Sequence, residues 1–442
     1  MEENIIKDDS EDEKIEQNNK EEKKDIINYK ENFFEDDSKK LYKINNNPSI
    51  EEISILKTKS SPPTRVYLTA EYSLAKNRLI CIGGTDKSCE QYNKISEYSI
   101  KDNIWHIWDN NEQSEFEFEL SGHSSNLVNL GKGEQIFIYG GYDNFKNEFT
   151  SQSYFLNVQN RTFEKIYYNS NNNNDIYPLP RSYHSSNYDK ENQTIIIYGG
   201  TDMNINHSKD SNFQSVWIFH LIDKTWEQIE ITKPPDFGAP RGHSSILVDN
   251  ILYIFGGIVL FKRFLNLLYT INLKEKTIKR IDYAKKGVSP NPTAFHSAVL
   301  IDKERFLVHG GLDKNYNTIN DTYIFNITNS EFTRIFIPLI PNIFGHKIVI
   351  NKEKNKLYFL GGMDSFKYVG DENLIYKIVE DKDDIFNNNV GQVDYFPMKN
   401  ILEISLNQND NKEKNDNIIL DNKENERHKK RKWIKLYIPG SN

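Results

Sequence analysis

A repeated apolar tetrapeptide followed by two glycines limits the fold of this 442-residue chain more than any other pattern in it. Successive glycine pairs are separated by 57, 59, 57, 54 and 51 residues. The pairs are Gly83-Gly84, Gly140-Gly141, Gly199-Gly200, Gly256-Gly257, Gly310-Gly311 and Gly361-Gly362. A repeat of this length indicates that one supersecondary unit is used six times.

Each tetrapeptide is apolar without alternation, as in Ile195-Ile196-Ile197-Tyr198. This pattern is typical of a strand that is buried on both faces. Glycines at the end of such a strand allow positive φ and a close approach of neighbouring backbone. We therefore interpret the twelve glycines as structural.

Further elements repeat around this strand. A second apolar strand follows, as in Val216–Phe219, and then a strand that begins with an aromatic residue, as in Trp226–Ile229. Upstream of the tetrapeptide, five units carry a histidine: His123, His184, His243, His296 and His346. Each unit thus supplies four short strands, the content of one blade of a β-propeller.

The order Arg-x-x-His-Ser, apolar strand, Gly-Gly, aromatic strand and Trp-x-x-Ile resembles the kelch repeat over about residues 50–378, with a weaker continuation to 440. The resemblance implies an all-β, six-bladed kelch-type propeller that serves as a binding scaffold. No BTB or F-box segment is recognised, so the resemblance is to a stand-alone kelch-repeat protein.

We predict two regions. Residues 1–48 read as an acidic disordered tail, since the first forty residues contain fifteen acidic residues and eight lysines. Residues 49–440 form the propeller, with a low-complexity insertion at about 380–430 that is rich in Asn, Asp and Lys.

Two segments compete for the outer strand of the last blade. One is Ile53–Leu56, and the other, slightly preferred, is Trp433–Leu436. The third strand of that blade is either Leu374–Val379 or Ile401–Leu406.

The net charge of −8 lies almost wholly in the tail, so the body is near neutral and a poor match for nucleic acid. No secretory signal or membrane span is visible, and two cysteines, Cys81 and Cys89, fit a reducing compartment. We expect a cytoplasmic protein, monomeric in isolation. The basic run Arg427–Lys432 offers nuclear import as an alternative.

Three arginines, Arg65, Arg181 and Arg241, are assigned to one repeat position in the loop that enters the first strand. In kelch domains that bind peptides, such loops line the pocket at one mouth of the channel. The resemblance therefore implies recognition of an acidic or phosphorylated peptide by these arginine forks. Ion pairing between blades is the alternative.

The unit that contains Gly256-Gly257 continues with an apolar segment in place of a polar turn. Phe261, Phe264 and Leu265 are its candidate partner-binding residues, since an apolar loop on a propeller face favours an interface. The alternative is that the strands are longer in this blade and pack into the ring.

The histidines and the aspartates after the glycine pairs (Asp86, Asp143, Asp202, Asp313 and Asp364) are interpreted as structural residues of turns. We predict no catalytic residue, metal or cofactor, and a scaffold or adaptor that binds partner proteins through the propeller faces. Two alternatives remain. One is a propeller enzyme, such as a metal-dependent oxidase or a lyase. The other is an architectural subunit of a larger complex.

Overall fold

A computed structural model of the chain describes residues 29–32, 39–44, 50–57, 61–86, 94–108, 119–131, 133–167, 176–203, 211–231, 238–259, 263–283, 288–335, 337, 342–353, 355–365, 394–395 and 400–406. In this part the chain is almost wholly β-structure, with one helical turn, α1 (Ser211–Gln214).

The first three strands belong to the last blade of the chain. They are β1 (Tyr29–Asn32), β2 (Lys39–Ile44) and β3 (Ile50–Lys57). Blade one contains β4 (Thr69–Ser73), β5 (Arg78–Ile82), β6 (Ser96–Ser99) and β7 (Ile104–Ile107). Blade two contains β9 (Ser124–Asn129), β10 (Glu134–Tyr139), β13 (Ser153–Asn157) and β14 (Thr162–Ile166). A small sheet beside it is formed by β8 (Leu120–Ser121), β11 (Tyr142–Asp143) and β12 (Glu148–Phe149).

Blade three contains β15 (Ser185–Asp189), β16 (Thr194–Tyr198), β17 (Val216–His220) and β18 (Thr225–Ile229). Blade four contains β19 (Ser244–Val248), β20 (Ile251–Phe255), β23 (Leu268–Asn272) and β24 (Thr277–Ile281), with the hairpin β21 (Ile258–Val259) and β22 (Arg263–Phe264) beside it. Blade five contains β25 (Ser297–Leu300), β26 (Arg305–His309), β27 (Thr322–Asn326) and β28 (Glu331–Ile335).

Blade six combines strands from both ends of the described chain. It contains β29 (Lys347–Asn351), β30 (Lys356–Leu360) and β33 (Asn400–Leu406), and a hairpin of β31 (Met363–Ser365) and β32 (Asp394–Tyr395) lies beside it. The strand order in the main sheet is β1-β2-β3-β33-β30-β29.

The first strands of the blades form a closed ring. Each of β4, β9, β15, β19, β25 and β29 contacts the next, and β29 contacts β4. This arrangement of antiparallel sheets confirms the predicted all-β propeller.

The apolar core lies between the blades. Every residue of β16 is buried, as expected for a strand with neighbouring sheets on both faces. Between blades two and three, the rings of Phe137 and Phe219 stack with their centroids 4.8 Å apart. Burial of such aromatic rings is the main favourable contribution to the packing of neighbouring blades.

The glycine pairs end the second strand of each blade, and all twelve glycines have positive φ. At Gly199, φ is +68°, and a Cβ atom would lie 2.5 Å from the carbonyl oxygen of Pro240 and 2.6 Å from Cε1 of His243. A side chain is therefore excluded there by both conformation and space. We call the end of the propeller where these pairs lie the glycine end.

The outer strand of blade six comes from the N-terminal side of the chain. Strand β3 pairs with β33, with Ile53 opposite Ile404, and β33 pairs in turn with β30. The outer strand is therefore β3, which contains the candidate Ile53–Leu56, and not the slightly preferred Trp433–Leu436, which lies outside the described residues. Of the two candidates for the third strand, the structure selects Ile401–Leu406, which lies in β33. Joining distant segments in one sheet covers the edge of β33 that would otherwise be free to pair with another chain.

Strands β1 and β2 lie within residues 1–48, which we expected to be a tail. They pair with each other, and β2 pairs with β3. Part of that segment is therefore a hairpin added to the outside of blade six. The acidic residues before Tyr29 lie outside the described residues.

Candidate functional site

Six backbone segments meet around the propeller axis, just before the first strand of each blade. At the residue that precedes the histidine position, aromatic residues alternate with glycines: Tyr67, Gly122, Tyr183, Gly242, Phe295 and Gly345. Each of the six donates its N–H to the carbonyl of the same residue in the preceding blade, at 2.7–3.1 Å. The six hydrogen bonds form a closed cycle, which fixes these segments relative to one another.

The three aromatic rings meet on the axis. The centroids of Tyr67 and Tyr183 are 5.0 Å apart, those of Tyr183 and Phe295 are 5.2 Å apart, and those of Tyr67 and Phe295 are 5.5 Å apart. All three pairs are edge-to-face, and all three residues are buried. We call this triangle the aromatic plug, because it fills the channel at its glycine end.

The alternating glycines make room for the plug. A Cβ atom on Gly122 would lie 2.8 Å from the ring of Tyr183, and one on Gly242 would lie 2.9 Å from the ring of Phe295. Both glycines have φ of +62°. The alternation is visible in the sequence, but its meaning depends on the ring that brings these six positions together.

Beyond the plug, the channel contains a cavity of about 160 Å³, which we call the channel cavity. Two rows of polar side chains line most of it. The first row holds the histidines His123, His184, His243, His296 and His346, and the second holds the hydroxyls of Thr69, Ser124, Ser185, Ser244 and Ser297. A cavity of this size has room for several water molecules at about 30 Å³ each.

Four histidines bond to hydroxyls across the blade junctions. Distances of 2.8 Å join the Nε2 atom of each histidine to the hydroxyl in the preceding blade, in the pairs Thr69–His123, Ser124–His184, Ser185–His243 and Ser244–His296. These histidines are structural, as we predicted, and the partners observed for all four are side chains of the neighbouring blade. We call the four pairs the histidine belt.

Burial keeps these histidines neutral. It lowers the pKa of His123 and His296 to about 3 and that of His243 to about 4, since a charged ring would lose its hydration. No group of three or more His, Cys, Asp or Glu side chains suited to a metal ion occurs in the described part of the chain. Burial also raises the pKa of the Cys81 thiol to about 12, so this cysteine is protonated at neutral pH. Cys89 lies outside the described residues.

Two of the three predicted arginines stabilise their own blade. Arg65 and Arg181 are fully buried. Arg65 donates a hydrogen bond to the carbonyl of Gly83 at 2.8 Å, and Arg181 donates one to that of Gly199 at 2.9 Å. Each guanidinium therefore holds the first glycine of the pair in its own blade, and neither is displayed at a surface.

Arg241 does not share this position. In blade four the equivalent residue is Pro240, whose carbonyl accepts the N–H of Gly200, as the carbonyl of Arg181 accepts that of Gly141. Arg241 is one residue further along and pairs with Ile258, as Ser182 pairs with Thr201. The assignment of three arginines to one position was therefore wrong by one residue in blade four. Arg181 lies three residues before its histidine, whereas Arg241 lies two residues before His243.

The apolar segment of blade four mostly packs into the ring. Phe264 and Leu265 are buried, and the ring of Phe264 lies 5.2 Å from that of Tyr316 in an edge-to-face contact. The packing alternative therefore describes these two residues, and we do not carry them forward as partner-binding residues. Phe261 lies outside the described residues.

The aspartates that follow the glycine pairs form turns, as predicted, in two blades. Asp143 accepts the N–H of Phe145 at 3.1 Å, and Asp313 accepts those of Asn315 and Asn317 at 2.8 Å. These contacts use the carboxylates inside the turns.

Four exposed apolar side chains lie in loops at the glycine end, in blade two and in its connection to blade three. The exposed fraction is 68 % for Phe145 and 77 % for Tyr167, and Ile176 and Tyr177 are about half exposed. Phe145 lies in the turn between β11 and β12, and Tyr167 follows β14. In the sequence, Phe145 is an aromatic residue between polar residues of a turn. This pattern could have indicated the exposed ring, but our sequence analysis did not select it.

Together, the ring of antiparallel sheets and the channel define a β-propeller. The family model "KLHDC2/KLHL20/DRC7 Kelch-repeats domain" matches residues 122–362, more than half of the chain. The chain therefore belongs to the kelch-repeat family, as the sequence indicated.

Three curated relatives give the range of similarity. Kelch domain-containing protein 1 of Mus musculus is 26 % identical over 53 % of this chain and 61 % of its own length. Its Homo sapiens counterpart is 27 % identical over 61 % of this chain and 68 % of its own length. An F-box/kelch-repeat protein of Arabidopsis thaliana is 26 % identical over 42 % of this chain and 40 % of its own. The chain thus spans about two thirds or less of these relatives.

Proposed function

We propose that the protein is a scaffold or adaptor that binds partner proteins, and that the glycine end of blade two is part of its binding surface. The proposal extends the general role of kelch repeats as interaction modules. No helix in the described part of the chain is long and apolar enough to cross a membrane.

The observation that supports this surface is the exposure of Phe145 and Tyr167. Large aromatic side chains are enriched where proteins bind each other, because they bury much apolar area with few rotatable bonds. Phe145 stands on a turn that is held by the Asp143 carboxylate, and Lys165 lies over the ring of Tyr167 with its Nζ atom 5.4 Å from the centroid. Phe145 is thus presented from a hydrogen-bonded turn, and the Tyr167 ring is contacted by the lysine two residues before it.

Neighbouring loops on this surface are joined by hydrogen bonds. The Arg181 N–H donates to the carbonyl of Thr150 at 3.3 Å, and the Tyr139 hydroxyl lies 3.4 Å from the carbonyl of Pro178. The loop that carries Ile176 and Tyr177 is therefore attached to the blade whose hairpin carries Phe145. A rigid platform of this kind lowers the entropy cost of binding.

The test is affinity capture from native extract with the full chain and two double variants. The first, Phe145→Ser with Tyr167→Ser, removes the exposed rings of blade two. The matched control, Leu74→Ser with Ile222→Ser, removes two exposed apolar side chains from turns at the opposite end of the propeller.

We expect a discrete partner that the wild-type chain and the control retain and the first variant loses. Both variants should keep the wild-type melting temperature, since none of the four side chains is buried. Equal capture by the wild-type chain and the Phe145/Tyr167 variant would refute the assignment of this surface. Capture of no protein at all would argue against the scaffold role.

A further inference from the structure

The histidine belt is interrupted where blade six meets its neighbours. His346 is 5 % exposed, and neither of its ring nitrogens has a hydrogen-bond partner among the described residues. The hydroxyl at the corresponding position, that of Ser297, instead accepts the N–H of Ile348 at 2.9 Å. A buried imidazole that lines a cavity without a partner favours a ligand, because an unmet hydrogen bond costs free energy.

The junction between blades six and one departs from the repeat in both blades. Leu68 stands where the other blades have a histidine, and Lys347 stands where they have Thr or Ser. Both residues line the channel cavity, and Lys347 is the one lysine or arginine among its described lining residues. The two departures place a lysine directly after His346 in the lining of the cavity.

The lining at this junction consists mainly of hydrogen-bond donors. Burial holds the pKa of His346 well below its usual value, and the nearby His309, His296 and Lys347 lower it further, so the neutral ring offers one N–H donor. The Glu71 carboxyl does not line the cavity and accepts the hydroxyl of Ser125 at 2.7 Å. Burial raises the pKa of Glu71, and the charge of Lys347 opposes that shift.

We propose that the channel cavity binds a small oxyanion, a carboxylate or a phosphate, held by Lys347 and His346 at the junction of blades five, six and one. An ammonium group, an imidazole N–H and nearby hydroxyls are the donors that such oxygens accept. The volume of 160 Å³ accommodates an anion of a few non-hydrogen atoms. This site is separate from the protein-binding surface proposed above, and neither proposal depends on the other.

The experiment is calorimetric titration of the full chain with inorganic phosphate and, separately, with acetate, at constant ionic strength set by chloride. The test variant is Lys347→Ser, which restores the residue type of the other blades and should therefore fold. The matched control is Lys352→Ser, which removes the same charge from an exposed position of the same blade. Lys347→Gln, which keeps most of the side-chain volume, serves as a second test variant if Lys347→Ser does not fold.

We expect saturable binding at one site for at least one probe in the wild-type chain and in Lys352→Ser. Loss of the Lys347 ammonium should weaken binding about tenfold or more, the worth of one charge-assisted hydrogen bond. Tighter binding of phosphate or of acetate identifies which oxyanion class the site prefers. Binding of neither probe by the wild-type chain, or equal affinity in wild type and the Lys347 variant, overturns the proposal.

Discussion

Alanine at Gly122 should destabilise the propeller more than alanine at another glycine with the same kind of backbone. Gly122 has φ of +62°, and a Cβ atom there would lie 2.8 Å from the Tyr183 ring. Gly131 also has positive φ, +83°, but a Cβ atom there would meet nothing within 4 Å. The comparison therefore separates backbone strain from loss of space around the plug.

Both substitutions place an L side chain in the left-handed region, which costs about 1–2 kcal/mol. Gly122→Ala should cost about 1–3 kcal/mol more, the usual range for an extra carbon in a packed core, because the three rings of the plug touch one another and cannot move independently. Equilibrium denaturation in guanidinium chloride measures both losses as changes in the free energy of unfolding.

A double variant extends the test. In a Tyr183→Ala background, Gly122→Ala should lose most of its additional cost, because the two ring atoms closest to the new methyl group are gone and Cβ of Ser182, at 3.2 Å, is the contact that remains. Equal losses of stability in Gly122→Ala and Gly131→Ala would refute the packing argument. So would an unchanged cost of Gly122→Ala in the Tyr183→Ala background.

Three further predictions concern the stability of the ring. Arg181→Met should lower the free energy of unfolding by about 1–3 kcal/mol, because it leaves the buried carbonyl of Gly199 without its donor. The control Arg280→Met, at an exposed position, should change it by about 0.5 kcal/mol or less. Urea denaturation measures the free energy of unfolding of both variants. Burial lowers the pKa of His243 from 6.5 to about 4. As the pH drops from about 6.5 to 4, this histidine therefore takes up a proton in the unfolded chain but not in the folded one, and the free energy of unfolding falls by about 3 kcal/mol for this group. His243→Gln should flatten that pH dependence of the denaturation midpoint, and an unchanged slope would contradict it. Deletion of residues 1–57 removes β3, leaves the edge of β33 unpaired and should therefore cause association between molecules, which light scattering detects. Deletion of residues 427–442 should cause no association. The reverse result would support Trp433–Leu436 as the outer strand of blade six.

The structural contacts of the predicted residues show where sequence reasoning reached its limit. Arg65 and Arg181 were selected because arginines recur in the repeat, and the structure gives them the same role in two blades. Their burial could not be inferred from the sequence, because the carbonyls that accept their hydrogen bonds, those of Gly83 and Gly199, are 18 residues away in the chain and come near only in the folded blade. Arg241 was grouped with them on residue type, although a one-residue difference in spacing moves it to another position.

The sequence by itself determined the repeat, the strands and the family. Six apolar tetrapeptides that end in Gly-Gly specify buried strands followed by tight turns, because burial on both faces and positive φ are local requirements. Closure of the ring depends instead on the pairing of β3 with β33, two segments about 350 residues apart in the chain. The plug and the interruption of the histidine belt at Lys347 likewise bring together residues from different blades, and only the tertiary structure decides which of them meet at the axis.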